Sequence, residues 1–249
     1  MSLQIVIAIL LLLTMLLFLA SRQIRLGRSN FRLRPLPAYE KLSGQVGRAV
    51  ESGQKLHISL GQAGVTGAET ATSIAATQFL SALAKDSCAN NTPPIVTVGN
   101  GTLLPLAENQ IRNAYDAADR LYQYQPNHAQ FIAQTEDNFA FAAGVTSELM
   151  QNKVLSHVLA GRYGAEIGII GEAANRQNIQ QIIATDDPTA LAIGTAVSEN
   201  VIIGEELFAA GAYIKKEPSQ IASLQVQDLL RWVIAITIVG VTIFQFVTQ

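Results

Sequence analysis

Two long apolar runs bracket the chain, and between them short apolar runs alternate with longer amphipathic ones. The first, Leu3 to Ala20, carries no charge and only Gln4 and Thr14 as polar residues. The second, Leu229 to Val247, holds Arg231 at its leading edge and Gln245 near its far end, with Thr237 and Thr242 able to bond back to their own helix. A spanning helix needs roughly 20 mainly apolar residues, so both runs are predicted to cross a membrane. Arg22, Arg25, Arg28, Arg32 and Arg34 crowd behind the first run, and Lys215, Lys216 and Arg231 precede or open the second. Basic residues near helix ends stay on the cytoplasmic side. The expectation is therefore an inner-membrane protein with two passes, a cytoplasmic centre and both termini outside. It divides into a helix over 1–21, a basic linker over 22–37, an α/β domain over 38–217, a short segment over 218–228 and a second helix over 229–249. The lipid bilayer is the first expected partner. Anionic lipid at the five arginines is a second, beside their plainer reading as topology signals.

Between the anchors the period changes. A helix is predicted from Ala38 to about Ser52, closed by Gly53. Strands follow at Leu56–Leu60, Ile95–Val98, Gln130–Ala133, Ser156–Ala160, Gln181–Ala184 and Val201–Ile203. Helical stretches separate them: Thr66 to Lys85, Thr102 to about Tyr122, Glu136 to Gln151 after a Thr135 cap, Gly164 to Asn175, Pro188 toward Ser198, and Glu205 to Ile214. Thr66 and Glu69 have the spacing of a capping box. Asp187-Pro188 reads as an N-cap followed by proline at the first helical position. Strands separated by helices imply a parallel sheet covered on both faces. The predicted fold is α/β, a doubly wound, mostly parallel Rossmann-like sheet of five or six strands, flanked by the N-terminal and C-terminal transmembrane helices.

Composition narrows the chemistry. Of 249 residues only 14% are charged and the net charge is −2, which argues against nucleic acid as a partner. The single cysteine, Cys88, excludes an internal disulfide framework. His57, His128 and His157 are far apart in sequence and show no metal-ligand spacing, so no metal and no cofactor is predicted.

Ligands of open parallel sheets sit beyond the carboxyl ends of the strands. The loop Gly61-Gln62-Ala63-Gly64-Val65-Thr66-Gly67 feeds a helix start, where N–H groups can meet an anion. Its G-x-x-G-x-x-G spacing is not that of a dinucleotide fingerprint, and a plain tight turn is the alternative. Gly99-Asn100-Gly101-Thr102 is a second such loop. Candidate binding residues are thus Gly61, Gly64, Thr66, Gly67, Gly99, Asn100 and Gly101. Asp186 and Asp187 could hold Mg²⁺, but Asp187 is more simply a cap. Glu205 and Glu206 suit a helix start. His57 shares a strand face with Ser59 and reads as a core or edge histidine. No catalytic residue is predicted.

Several stretches together carry a resemblance. They are Leu33-Arg34-Pro35-Leu36-Pro37-Ala38, Leu56-His57-Ile58-Ser59-Leu60-Gly61, Thr102-Leu103-Leu104-Pro105-Leu106-Ala107, the run from Gly204 to Tyr213, and Ala222-Ser223-Leu224. In order and spacing the chain resembles a family of bacterial two-helix membrane proteins known as a domain of unknown function. That resemblance implies a membrane-tethered architecture and brings no activity with it.

The functional expectation is a membrane-anchored, non-catalytic scaffold that forms a homo-oligomer through its α/β domain. A small-molecule sensor for phosphate or nucleotide at the two glycine loops is the alternative. An enzyme would need Asp186, Asp187 or His57 to meet in one cleft.

Overall fold

The computed structural model describes residues 3–26, 33–133 and 138–247. The chain forms two compact units, one of residues 1–34 with 215–249, the other Pro35–Ile214.

In the first unit, helix α1 (Leu3–Arg25) packs against helix α9 (Pro218–Val247). The hydroxyls of Thr14 and Ser21 donate to the carbonyls of Leu11 and Phe18 in their own helix. The expected membrane spans are not supported. Among the described residues, no helix is long and apolar enough to cross a membrane. The physical reason lies in where polar groups interrupt. In α1 Thr14 interrupts the described apolar side chains, and Ser21, Arg22 and Gln23 make the last turn polar. Helix α9 begins 11 residues before the predicted span, and Gln220, Gln225, Gln227 and Asp228 make its first turns polar. Asp228 pairs with Arg231 at 3.4 Å. The flanking transmembrane helices, the two-pass inner-membrane placement and the outward termini are therefore withdrawn, and the bilayer loses the spans that made it a partner. Arg28 and Arg32 lie outside the described residues, as do the side chains of Arg25, Thr237, Thr242 and Gln245.

The second unit is α/β. Helix α2 (Pro37–Ser52) opens with proline, whose missing N–H is no loss at a helix start, and closes at Gly53. Six strands follow: β1 (Lys55–Gly61), β2 (Ile95–Val98), β3 (Ala129–Phe131), β4 (Val154–Arg162), β5 (Gln180–Thr185) and β6 (Val201–Ile203). The helices between them are α3 (Thr70–Ala89), α4 (Leu104–Ala117), α5 (Phe139–Gln151), α6 (Ile167–Arg176) and α7 (Pro188–Val197). A 3₁₀ turn at Leu121–Gln123 precedes β3, and a 3₁₀ segment at Gly204–Ala209 leads into the short α8 (Ala210–Tyr213).

All strand pairs are parallel, in the order β3-β2-β1-β4-β5-β6. This is the doubly wound arrangement, with its reversal between β1 and β4. Strand alternation sorts the side chains onto two faces. Leu56, Ile58, Leu60, Val96, Val98, Val158, Ala160, Ile182 and Ala184 form one core with residues of α2, α3, α4 and α8. Ile95, Leu159 and Ile183 form the other with Phe141, Val145 and Leu149 of α5, Ile167 and Ile170 of α6, and Ala190 of α7. The second face also carries His57 on β1 and His157 on β4, register partners and both fully buried.

Several helix starts differ from expectation. Helix α3 begins at Thr70, not Thr66, and no side chain caps it. Instead Thr70 Oγ1 donates to the Gly67 carbonyl at 2.7 Å, and Glu69 turns toward an arginine. Thr102 does not cap α4. The helix from Glu205 to Ile214 is a 3₁₀ segment followed by one α turn. Thr135 and Glu136 lie outside the described residues.

Candidate functional site at the strand reversal

The strand order reverses between β1 and β4 at the sheet's carboxyl edge. Here the two backbones approach closely. A Cβ on Gly61 would sit 2.5 Å from the Arg162 carbonyl oxygen, and one on Gly161 would fall on the carbonyl oxygen of Leu60. The residues have φ of +75° and +136°. Gln62 N donates to the Arg162 carbonyl at 3.0 Å and Gly99 N to the Gly61 carbonyl at 2.8 Å, which ties the ends of β2, β1 and β4 together.

The two glycine loops do meet. Val65 N donates to Thr102 Oγ1 at 3.1 Å, and a Cβ on Gly64 would touch the side chains of Asn100 and Thr102 at 2.8 and 2.9 Å. Asn100 Oδ1 accepts from both the Thr102 amide and its hydroxyl, at 3.0 and 2.7 Å. Ser73 Oγ donates to the Gly64 carbonyl, and Gly67 N donates to Thr70 Oγ1. Thr66 and Gly101 are exposed and stand outside this network. The loops thus spend several donors on each other, as a structural turn does.

Above them sits a charged cluster that crosses the reversal. Arg162, at the end of β4, pairs through Nε with Glu69 at 3.0 Å and through its terminal nitrogens with Asp187 at 3.1 Å and Asp186 at 3.8 Å. Thr72 Oγ1 donates to Asp186 Oδ2 at 2.6 Å. Asp187 is also the N-cap of α7, with Oδ1 accepting from the amides of Thr189 and Ala190 at 2.9 and 3.0 Å. Both aspartates are thus engaged with the protein itself, and Mg²⁺ is not needed to explain them. Among the described residues, no group of three or more His, Cys, Asp or Glu could hold a metal ion.

Glu166, almost fully buried, is the second hub. Its carboxylate accepts from Gln62 Nε2 at 2.7 Å, Gly164 N at 2.8 Å and Asn138 Nδ2 at 3.0 Å, so β1, β4 and the start of α5 are bound through one side chain. Beside it Tyr163 donates its hydroxyl to the Ser59 carbonyl at 2.7 Å, and burial raises its pKa. His57 does not join this cleft. It lies sealed in the sheet, its pKa pushed down to about 3 by burial. Cys88 is buried too, its thiol pushed up to about 12.

The glycine loops were visible in the sequence because each directly follows a strand. Arg162, Glu69 and Glu166 were missed as site residues. The signal was Arg162 within Gly161-Arg162-Tyr163-Gly164, a loop at a strand end that becomes central once β4 is known to lie beside β1.

These observations define a doubly wound α/β protein with a self-paired ionic cluster at its switch point. The chain belongs to the family described as Domain of unknown function (DUF6754), whose model matches residues 1–249. The resemblance seen in the sequence thus holds as membership of a domain of unknown function over the whole chain; bacterial origin and two-helix membrane architecture do not follow from it. No curated protein and no solved structure matches the chain.

Proposed function

We propose that the α/β unit is a non-catalytic module that self-associates. The supporting observation is the placement of its exposed apolar side chains. Ile74 in α3, Leu106 in α4, Phe139 in α5 and Ile169 in α6 all lie in the first two turns of their helices, and Phe131 and Ile203 end β3 and β6. In a parallel sheet these positions share the carboxyl edge. Phe139 is 67% exposed and Ile203 55%. Monomers rarely expose large apolar side chains in one region without a partner. The polar groups in the middle of this edge are largely satisfied within the chain, which suits an interface better than a reaction centre.

Sedimentation of the full chain tests this. Wild type is expected as a defined homo-oligomer. The double variant Phe139→Ser, Ile169→Ser is expected to dissociate at least about tenfold more readily, the effect of roughly 1.4 kcal/mol of lost contact. A wild-type monomer, or a variant that assembles as wild type does, would refute association through this edge.

The second reading is a sensing site for a phosphorylated small molecule at the strand reversal. Its support is the strand order, in which the Gly61–Gly67 loop follows β1 beside the reversal and the Gly99–Thr102 loop follows the neighbouring β2. It predicts that a nucleotide or sugar phosphate raises the thermal midpoint, and that Gly64→Val, which wedges Asn100 and Thr102 away, removes the rise while leaving far-UV circular dichroism unchanged. No shift with any such compound defeats it.

A further inference from the structure

The opposite, amino edge of the sheet holds a cleft of about 310 Å³. It lies where β1, β2 and β3 begin and α5 ends. Among the described residues Lys55 and Glu148 supply its only charges, while Asn127, Gln130, Gln151 and Asn152 contribute amides and His128 an imidazole. Its size falls at the lower end of small-ligand sites, roughly 300–1,000 Å³.

Three features separate it from an incidental surface dip. First, its wall is fixed in advance. Glu108 on α4 accepts from the Tyr124 hydroxyl at 2.6 Å and from the amides of Asn127 and Ala129 at 3.1 and 3.0 Å. The His128 carbonyl accepts from Val96 N at 3.0 Å, and Asn127 holds a left-handed φ of 91°. Such strain persists only where surroundings impose it, and it gathers at ligand sites. Second, the opposite charges do not pair with each other. Among the described residues Lys55 forms no ion pair, and the Glu148 carboxylate accepts only from Asn152 Nδ2, at 3.1 Å, through Oε2. Third, the His128 ring that borders the cleft is held against Tyr115 and Tyr124, with ring centroids 6.0 and 6.1 Å away. Burial lowers the His128 pKa, Glu108 opposes this and Lys55 adds to it, which favours a neutral ring that can both donate and accept.

A single cation and a single anion, unpaired across a small amide-lined cleft, match a ligand that carries both charges close together. We propose that this cleft binds a free polar α-amino acid, its carboxylate at the Lys55 ammonium, its ammonium at the Glu148 carboxylate and its side chain toward His128 and the amides. The site is independent of the self-association edge, at the other end of the strands, and of the glycine loops.

Ligand-observed NMR on the full-length protein, with the standard amino acids as probes, tests this. At least one polar amino acid is expected to bind saturably, and Lys55→Gln and Glu148→Gln are each expected to weaken it about tenfold or more, because each removes a charge-assisted contact. Succinate carries only the anionic half and ethanolamine only the cationic half, so neither should match it. Lys55 is exposed and Glu148 half-buried at a helix end, so both variants should retain the wild-type circular dichroism. A variant that fails this check is replaced by Lys55→Met or Glu148→Met. Absence of binding by every amino acid overturns the proposal. So does binding indifferent to either substitution, or succinate binding as tightly as the best amino acid.

Discussion

Gly161→Ala is expected to destabilise the α/β unit by about 3 kcal/mol or more, and Gly61→Ala by a similar amount, because neither methyl has anywhere to go. At Gly161 the added Cβ falls on the Leu60 carbonyl oxygen, with the Leu60 carbonyl carbon 2.9 Å away. At Gly61 it meets the carbonyl oxygen and amide nitrogen of Arg162 at 2.5 and 2.8 Å. These are backbone atoms of central strands, not the ends of flexible side chains, so relief requires β1 and β4 to separate. Both residues also have φ values that L-residues rarely adopt, which adds roughly 1–3 kcal/mol of backbone strain. Separation would stretch the bond from Gln62 N to the Arg162 carbonyl and the bond from Tyr163 to the Ser59 carbonyl. Gly101→Ala is the control. Its Cβ would meet nothing within 4 Å, and it should stay within about 0.5 kcal/mol of wild type. Urea unfolding followed by far-UV circular dichroism checks all three. If Gly161→Ala unfolds at the same urea concentration as Gly101→Ala, the close approach of β1 and β4 is not what holds the reversal.

That close approach also marks the boundary of what the sequence could reveal. Val201–Ile203 and Ile95–Val98 were read correctly because their limits are local: Gly204 follows one, and Pro94 and Gly99 bound the other. Asp187-Pro188 was legible for the same reason, since cap and acceptor amides lie within three residues. The sequence pattern ends the fourth strand at Ala160, because Gly161 looks like a breaker. In the structure it runs to Arg162, as pairing with β1 continues through a register shift at that glycine. The T-x-x-E pattern at Thr66 failed for a complementary reason. Glu69 is drawn to Arg162, distant in sequence, and the helix starts where Thr70 closes a turn on Gly67.

Sites show the same division. Each glycine loop is a local feature and was found. The ionic cluster assembles residues 69, 162, 186 and 187, and the amino-edge cleft assembles three strand starts and a helix end. Both depend on strand order, which periodicity does not encode. The terminal runs erred in another way. Apolar composition suggests two spans, whereas among the described residues no helix is long and apolar enough to cross a membrane, and α9 carries a polar first part.

The buried histidine pair should make the domain acid-sensitive, losing about 2 kcal/mol per histidine between pH 7 and pH 5. The rings of His57 and His157 meet edge to face with centroids 4.6 Å apart. His57 Nε2 lies 3.3 Å from Thr97 Oγ1, whereas His57 Nδ1 and both nitrogens of His157 have no partner among the described residues. Burial pushes the His57 pKa down to about 3, and burial together with the neighbouring His57 holds His157 well below its usual value of 6.5. The unfolded chain therefore binds more protons than the folded one between about pH 3 and 6.5, and stability rises with pH across that window. It is fully present above pH 6.5 and declines by about 1.4 kcal/mol per pH unit for each histidine as the solution becomes more acidic. Measurements between pH 7.5 and 5 stay above the usual carboxylate range, near 4. His157→Leu should remove roughly half of the decline while costing less than about 1 kcal/mol at pH 7.5, because it deletes two unpartnered buried nitrogens and keeps similar volume. Urea unfolding of wild type and variant across that range decides the matter: a flat wild-type profile, or equal slopes in the two proteins, would show that the pair does not govern the acid response.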